Sequence, residues 1–221
     1  MSQKNVFAST EGDEWFRRNA PSMEKGSQLL RDLCEKDPML NRIFALGLTN
    51  ERVLEVGAAN GWRLAAIKKR FPKVECYGVE PSAEAVADAH DGVTMIQGTA
   101  DRLPFDDGFV DLVLYGACLL WCDPADHFRI ALEGDRVLAD KGHIVVRDLY
   151  ARQPYKKPYR HDSRVMTYKM DYQRLFLASP HYFMVDFHLQ NYQGKNDFDP
   201  DKHYGISVLR KDTSAAWMVP A

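Results

Sequence analysis

Between Arg52 and Asp148, short apolar runs alternate with longer amphipathic stretches, and this alternation constrains the fold more than any other feature of the chain. Arg52–Val56, Glu75–Val79, Val93–Ile96, Val110–Tyr115 and Gly142–Asp148 read as buried strands. Gly61–Phe71 sets Leu64, Ala65 and Ile67 on one face, with Lys68, Lys69 and Arg70 near its end and Pro72 as the stop. That is a helix whose last-turn cations suit its dipole. Pro81-Ser82 opens a helix over Ala83–Ala89, and Pro124–Leu138 reads as another. Such alternation predicts parallel βαβ units, right-handed crossovers and a sheet covered on both faces.

The flanks are less regular. Residues 1–21 read as polar and irregular. Ser22 to about Leu46 has helical spacing, in Leu29, Leu30, Leu33 and Cys34 and then Leu40, Ile43 and Phe44, broken near Pro38. Residues 151–166, rich in Pro, Tyr, Arg and Lys, read as a loop or lid. Tyr168–Ala178 reads as helical, and Phe183–Leu189 and Tyr204–Arg210 as two last strands.

With 221 residues, 45% of them hydrophobic, the chain is long enough for one sizeable core. A net charge of -2 offers no global attraction for nucleic acid or an anionic membrane, so neither is expected as a partner. No apolar run follows Met1-Ser2-Gln3-Lys4-Asn5 as in a signal peptide, and none is long enough for a membrane span. The scattered Cys34, Cys76, Cys118 and Cys122 read as packed thiols in a reduced, cytoplasmic setting, with no metal expected.

The chemistry concentrates in Val53-Leu54-Glu55-Val56-Gly57-Ala58-Ala59-Asn60-Gly61, a strand running through a turn of small residues into a helix. Gly57 and Gly61 let backbone turn sharply and touch a ligand, and the free N–H groups of the helix start favour a polar group. Glu80 ends the second strand about 20 residues on, where a carboxylate can accept from two ribose hydroxyls. A dinucleotide fingerprint needs Gly-x-Gly-x-x-Gly, but position 59 is Ala and position 62 is Trp. Glu55 would also repel a pyrophosphate. It suits a ligand bearing an amine or cation, which argues against a nicotinamide dehydrogenase.

Four features in order resemble the class I S-adenosylmethionine (SAM)-dependent methyltransferases, over about residues 50–150. Glu55–Gly61 resembles the family's Glu/Asp-x-Gly-x-x-x-Gly motif, and Glu80 its acidic ribose ligand. Gly98-Thr99-Ala100-Asp101-Arg102-Leu103-Pro104-Phe105 resembles its Gly-Asp-Ala-x-x-Leu-Pro-Phe segment. Asp111-Leu112-Val113, Arg136-Val137-Leu138 and Gly142 resemble its fourth strand, the following helix and the opening of its fifth strand. The resemblance implies a Rossmann-like α/β fold with a mostly parallel seven-stranded sheet, order 3-2-1-4-5-7-6, and helices on both faces. It implies one domain over 1–221, comprising an N-terminal arm and helices (1–46), a SAM-binding half (47–150), and an acceptor lid with the last two strands (151–221).

Carried over, Glu55 and Gly57, with Ala58, Ala59 and Gly61, would meet the methionine portion of SAM. Glu80, with Pro81, would hold the ribose, and Thr99 and Ala100 the adenine edge. Thr99 departs from the family's usual Asp, and a hydroxyl is a poorer acceptor for the adenine amine. Tyr115, at the end of the fourth strand, completes the cofactor set with Trp15 and Arg18. Gly12-Asp13-Glu14-Trp15-Phe16-Arg17-Arg18-Asn19 resembles an N-terminal signature of methyltransferases associated with bacterial surface-sugar biosynthesis, such as the pseudaminic-acid-associated methylases. Tyr168-Lys169-Met170-Asp171-Tyr172 and Phe176-Leu177-Ala178-Ser179-Pro180 share that flavour. A sugar-like small-molecule acceptor, methylated at a hydroxyl, is the implied partner. The sequence leaves a homodimer open.

Other roles keep two readings. Trp15, Arg18 and Asn19 fold over the cofactor, with Arg18 reaching its carboxylate, or form a surface arm anchored by Trp15 and Phe16. Trp121 walls the acceptor pocket or packs on the following helix. A hydroxyl acceptor calls for a base near neutral pKa. His161, between Tyr159 and Asp162, is the candidate, against a solvent-exposed histidine; His127 and His143 read as structural. Lys156, Lys157 and Arg160 could hold an anionic acceptor, or form a solvated loop. N-methylation of a small amine, or SAM binding without turnover, stand as alternatives.

Overall fold

The computed structural model describes residues 2–48, 51–191 and 202–216. Five strands, β1 (Arg52–Val56), β2 (Glu75–Glu80), β3 (Val93–Gln97), β4 (Val110–Gly116) and β5 (Leu138–Leu149), run parallel. A hairpin of β6 (Tyr155–Pro158) and β7 (Met166–Lys169) pairs only with itself. β8 (Tyr182–Asn191) and β9 (His203–Lys211) then join the main sheet antiparallel, giving the order β3-β2-β1-β4-β5-β9-β8. This is the expected order, with the last two strands displaced in number by the intervening hairpin.

Two segments depart from expectation. The described part of residues 1–21 is not irregular: α1 (Gln3–Val6), a wider π turn over Phe7–Glu11 and α2 (Gly12–Met23) follow one another without a break. Its apolar face is small, Phe16 and Met23 with Trp15 and Ala20 beside them, and polar partners supplement it. Tyr168–Ala178 is not one helix. Tyr168 and Lys169 belong to β7, where Tyr168 pairs with Lys156, and only α8 (Arg174–Leu177) is helical. Likewise the 151–166 stretch is not simply loop, since it supplies β6 and the start of β7.

The remaining helices follow local rules. α3 (Gln28–Lys36) starts at Ser27, whose hydroxyl accepts from Leu30 N. α4 (Pro38–Leu46) starts at Asp37, whose Oδ1 accepts from Leu40 N at 2.8 Å, with Pro38 in the first turn where its missing N–H costs nothing. α5 (Trp62–Arg70), α6 (Ala83–Ala87) and α7 (His127–Val137) are the crossover helices. None of the described helices is long and apolar enough to cross a membrane.

Side-chain alternation along the strands sorts the core into two layers. On one face Leu112, Leu114 and Val145 pack with Met39, Leu40 and Ile43 of α4 and Leu64 and Ile67 of α5. On the other, Val113, Tyr115, Ile144 and Val146 pack with Ile130 and Val137 of α7 and Leu175 and Phe176 of α8. Each fully buried side chain of this size contributes about 1.5–3 kcal/mol over exposure. This two-sided burial fixes the height of the sheet's carboxyl edge, where β1, β2, β4 and β5 end side by side.

α2 is fastened to that edge by Asp13. Its Oδ1 accepts from the Ser82 hydroxyl at 2.6 Å and from Glu84 N at 3.1 Å, so it joins Ser82 in capping α6. Arg17 forms an ion pair with Glu84 alongside. Asp13→Ala is expected to cost about 1–2 kcal/mol in denaturant unfolding. It should also quicken amide exchange across residues 3–23 relative to the sheet; equal protection there would mean that α2 is held by its apolar contacts alone.

Candidate active site

A cavity of about 300 Å³ lies at the carboxyl ends of β1, β2, β4 and β5. It spans the point where the strand order reverses between β1 and β4, the usual ligand crevice of an open α/β sheet. Its first wall is the turn after β1. Gly57 and Ala58 donate their N–H groups to Val79 O at 2.8 and 3.3 Å, which binds the turn to β2. Gly57 has φ +71°, and a Cβ there would stand 2.5 Å from Cys118 Cβ. The glycine is therefore required by backbone conformation and by close approach together.

Glu80 closes the turn from the other side. Its Oε2 accepts from Ala59 N at 2.9 Å and its Oε1 from Ser82 N at 3.1 Å. Burial pushes the Glu80 carboxyl up to about 7, although the two amides pull the other way. Further along, Thr99, Ala100 and Asp101 line the cavity. Asp101 Oδ2 accepts from Lys4 Nζ at 2.6 Å, while its Oδ1 is buried with no hydrogen-bond partner among the described residues.

Beneath the turn lies a buried charge cluster. Arg63 of α5 donates to Glu55 of β1, and its other terminal nitrogen meets Asp37 Oδ2 at 3.3 Å. Burial pushes Glu55 up to about 7 against the pull of Arg63. Burial opposes ionised Arg63 and Asp37 too, but there the partner charges win, raising Arg63 and lowering Asp37. At Gly116 a Cβ would stand 2.6 Å from Arg63 Nη1, so the guanidinium occupies the space a side chain would fill.

The roof comes from far along the chain. Phe7, Trp15, Asn19 and Trp121 line it. The Trp121 ring lies 5.7 Å from Phe7 and 4.6 Å, edge-on, from Tyr159. Gln3 ties α1 in place, donating to Trp121 O at 2.7 Å and Met166 O at 3.1 Å.

The structure brings together most of the residues singled out from sequence: Trp15, Gly57, Ala58, Ala59, Glu80, Pro81, Thr99 and Ala100 all line this cavity. Gly61 does not; it sits at φ +76° where the turn enters α5. Nor does Glu55, whose Oε1 accepts from Arg63 while its Oε2 is buried without a partner among the described residues, and it is Arg63 that reaches the cavity. Arg18 is turned away, towards Glu11 and the Tyr159 hydroxyl. Tyr115 is a core residue: its hydroxyl donates to Ile130 O at 3.4 Å and leaves no room for a side chain at Gly134. His161 is exposed outside the cavity, accepting from Arg160 Nε at 2.7 Å on Nε2. Lys156, Lys157 and Arg160 are also exposed outside it. Trp121 is a cavity wall. His127 is buried edge-on against Tyr172, a packing role.

Sequence reasoning missed Lys4, Phe7, Arg63 and Arg147, and quoted Asp101 only within its motif; all five line the cavity. Only Arg63 left a readable signal. It shares the buried stripe of α5 with Ile67, one turn on, and a charge in such a stripe demands a buried partner.

Residues 54–146 match a family model described as a methyltransferase domain. A malonyl-[acyl-carrier protein] O-methyltransferase of Geobacter sulfurreducens is 30% identical over 133 residues, covering 58% of this chain and 48% of that protein. One from Methylococcus capsulatus is 28% identical over 148 residues, covering 62% and 52%. The chain thus spans about half the length of these curated relatives. Among solved structures, a Burkholderia thailandensis 1,6-didemethyltoxoflavin-N1-methyltransferase with bound 1,6-didemethyltoxoflavin and S-adenosylhomocysteine superposes with a TM-score of 0.64 at 16% identity, covering 90% of this chain and 87% of its own. A SAM-dependent methyltransferase of Mesorhizobium loti gives 0.60 at 13% identity, covering 80% and 100%. The chain has the class I SAM-dependent methyltransferase fold. The residues that match the methyltransferase-domain model, 54–146, lie within it.

Arg63→Met should destabilise the protein by about 3–5 kcal/mol, because it strands both Glu55 and Asp37 without a counter-charge. Glu55→Gln should cost less, since it removes a carboxylate that burial already disfavours. Denaturant midpoints of the two variants check the order; a milder effect for Arg63→Met would refute the cluster's role.

Proposed function

We propose that the chain transfers a methyl group from SAM to a small-molecule acceptor. The observation that carries this reading is the Glu80 carboxylate, held by two amides against the Gly57–Ala59 turn and facing the same cavity as Asp101. Glu80 complements the two ribose hydroxyls. The unpartnered Asp101 Oδ1 complements the adenine amine, a role the weaker acceptor Thr99 fills less well. Gly57 lets the methionine portion lie against backbone. SAM supplies a methyl carbon made electrophilic by the sulfonium. The protein's task is to hold the acceptor in line with it beneath Phe7 and Trp121, and to keep water out.

The acceptor reading narrows with the geometry. Methylation of a sugar hydroxyl needs a base, and His161 stands exposed outside the cavity. An acceptor atom with a lone pair already available at neutral pH, such as a carboxylate oxygen, fits these walls better. The curated relatives, O-methyltransferases by name, favour oxygen. The N1-methyltransferase among the structural neighbours keeps a ring nitrogen as the second reading.

Calorimetry with S-adenosylhomocysteine tests the cofactor half. Glu80→Ala should weaken binding at least about tenfold, the loss of hydrogen bonds to a charged acceptor; unchanged affinity would remove the ribose assignment. The pH dependence has two opposite signs. Glu80 is raised from its ordinary 4.5 to about 7, so its contribution to the stability of the ligand-free fold is full below 4.5 and lost as pH rises through 7. Ligand affinity needs the ionised carboxylate, so it should fall as pH drops below 7. Comparing wild type with Glu80→Gln in both measurements isolates this residue from Glu55 and Asp148, which burial raises into the same range.

A further inference from the structure

We propose that Arg147 is the receptor for a carboxylate carried by the methyl acceptor, at a position separate from the atom that is methylated; this rests on the methyl-transfer reading above. Arg147 lies near the end of β5 and lines the cavity. It is the register partner of Gly116 on β4. Partnered residues present their side chains to one face of a sheet, so Arg147 emerges on the face where Arg63 fills the space of the side chain missing at Gly116.

The two guanidinium groups differ in what they meet. Both terminal nitrogens of Arg63 are engaged, one by Glu55 and one by Asp37, so its charge is matched although its Nε has no partner among the described residues. Arg147 makes no side-chain hydrogen bond or ion pair with any described residue, and its Nε is buried without a partner. The carboxylates whose fields it feels are both engaged elsewhere. Asp37 accepts from Leu40 N and Arg63, and Asp148 from Leu120 N and Leu149 N. One contact does orient Arg147: its guanidinium carbon stands 4.2 Å from the centroid of the Tyr204 ring. Stacking of this kind holds the planar fork in one attitude while leaving its edge donors open. An oriented fork with open donors in a cavity matches a bidentate carboxylate.

Position assigns that carboxylate to the acceptor rather than to SAM. In the proposed pose the methionine portion lies at the Gly57 turn on β1. β4 separates β1 from β5, which places Arg147 two strand spacings away, roughly 10 Å. Arg147 leans further off still, towards Tyr204 on β9. The acceptor class that results has an anionic end docked on Arg147 and a nucleophilic end presented to the methyl group above β4.

The test uses the whole chain loaded with S-adenosylhomocysteine, with malonate as the probe and malonamide as its neutral counterpart. Calorimetry should show binding of malonate and none of malonamide. Arg147→Gln should weaken malonate at least about tenfold, and Arg147→Lys, a point charge without the fork, less so. Both variants should keep S-adenosylhomocysteine affinity within about twofold, as expected for separate contacts. Malonate binding that is absent from wild type, or equal in Arg147→Gln, overturns the proposal. So does a tenfold loss of S-adenosylhomocysteine affinity in Arg147→Gln, which would give Arg147 to the cofactor's own carboxylate. If wild type fails to bind S-adenosylhomocysteine, the methyl-transfer reading itself falls, an outcome distinct from a malonate failure in a loaded protein.

Discussion

Arg63 stands with its guanidinium under Gly116, between the carboxylates of Glu55 and Asp37, and all three side chains are buried. A charge in that position cannot be left without a partner, so the three must be assembled together. Through them β1, α5 and the cap of α4 meet at one point beneath the cavity floor. Such a cluster adds little net stability over an apolar one of equal volume, because desolvation offsets most of the attraction. What it contributes here is geometry. Asp37 ties the start of α4 to Arg63, and at Gly116 the guanidinium takes the space a side chain would fill.

The cavity above this floor is closed by segments remote in sequence. α1 reaches the turn after β4 through Gln3 and the 99–101 segment through Lys4. The β6–β7 hairpin meets it at Met166 and sends Tyr159 to Trp121. Arg18 links Glu11 to Tyr159 and so braces the roof instead of touching the space below. These contacts are mostly polar or aromatic-edge, and individually modest. The floor rests instead on a two-sided apolar core. The division suits a site whose floor must stay put while its roof admits a ligand.

Much of this was legible in the chain. The five parallel strands, the crossover helices and the last two strands follow from apolar periodicity, and Pro38 marks the α3–α4 break because it suits a helix start. The Gly57 turn and Glu80 were legible because their chemistry is local: a glycine that must turn, and an acid at a strand end. The errors share one cause. Residues 3–23 are helical with little apolar stripe, Tyr168 was drawn into a strand by pairing with Lys156, and Tyr115 and Arg18 had their directions set by α7 and by Tyr159. His161 fitted its chemical role but stands outside the cavity.

By itself, then, the sequence determined the α/β class, the glycine turn after β1 and the acid that faces it, because strand periodicity, glycine conformation and strand-end position are properties of neighbouring residues. Only the tertiary structure decided that Glu55 pairs with Arg63, that Asp101 Oδ1 is left open, and that Arg147 lines the cavity without a counter-charge among the described residues. Pairing of buried charges depends on which strands and helices end side by side. That is settled by packing across the whole sheet, at sequence separations that no local pattern records.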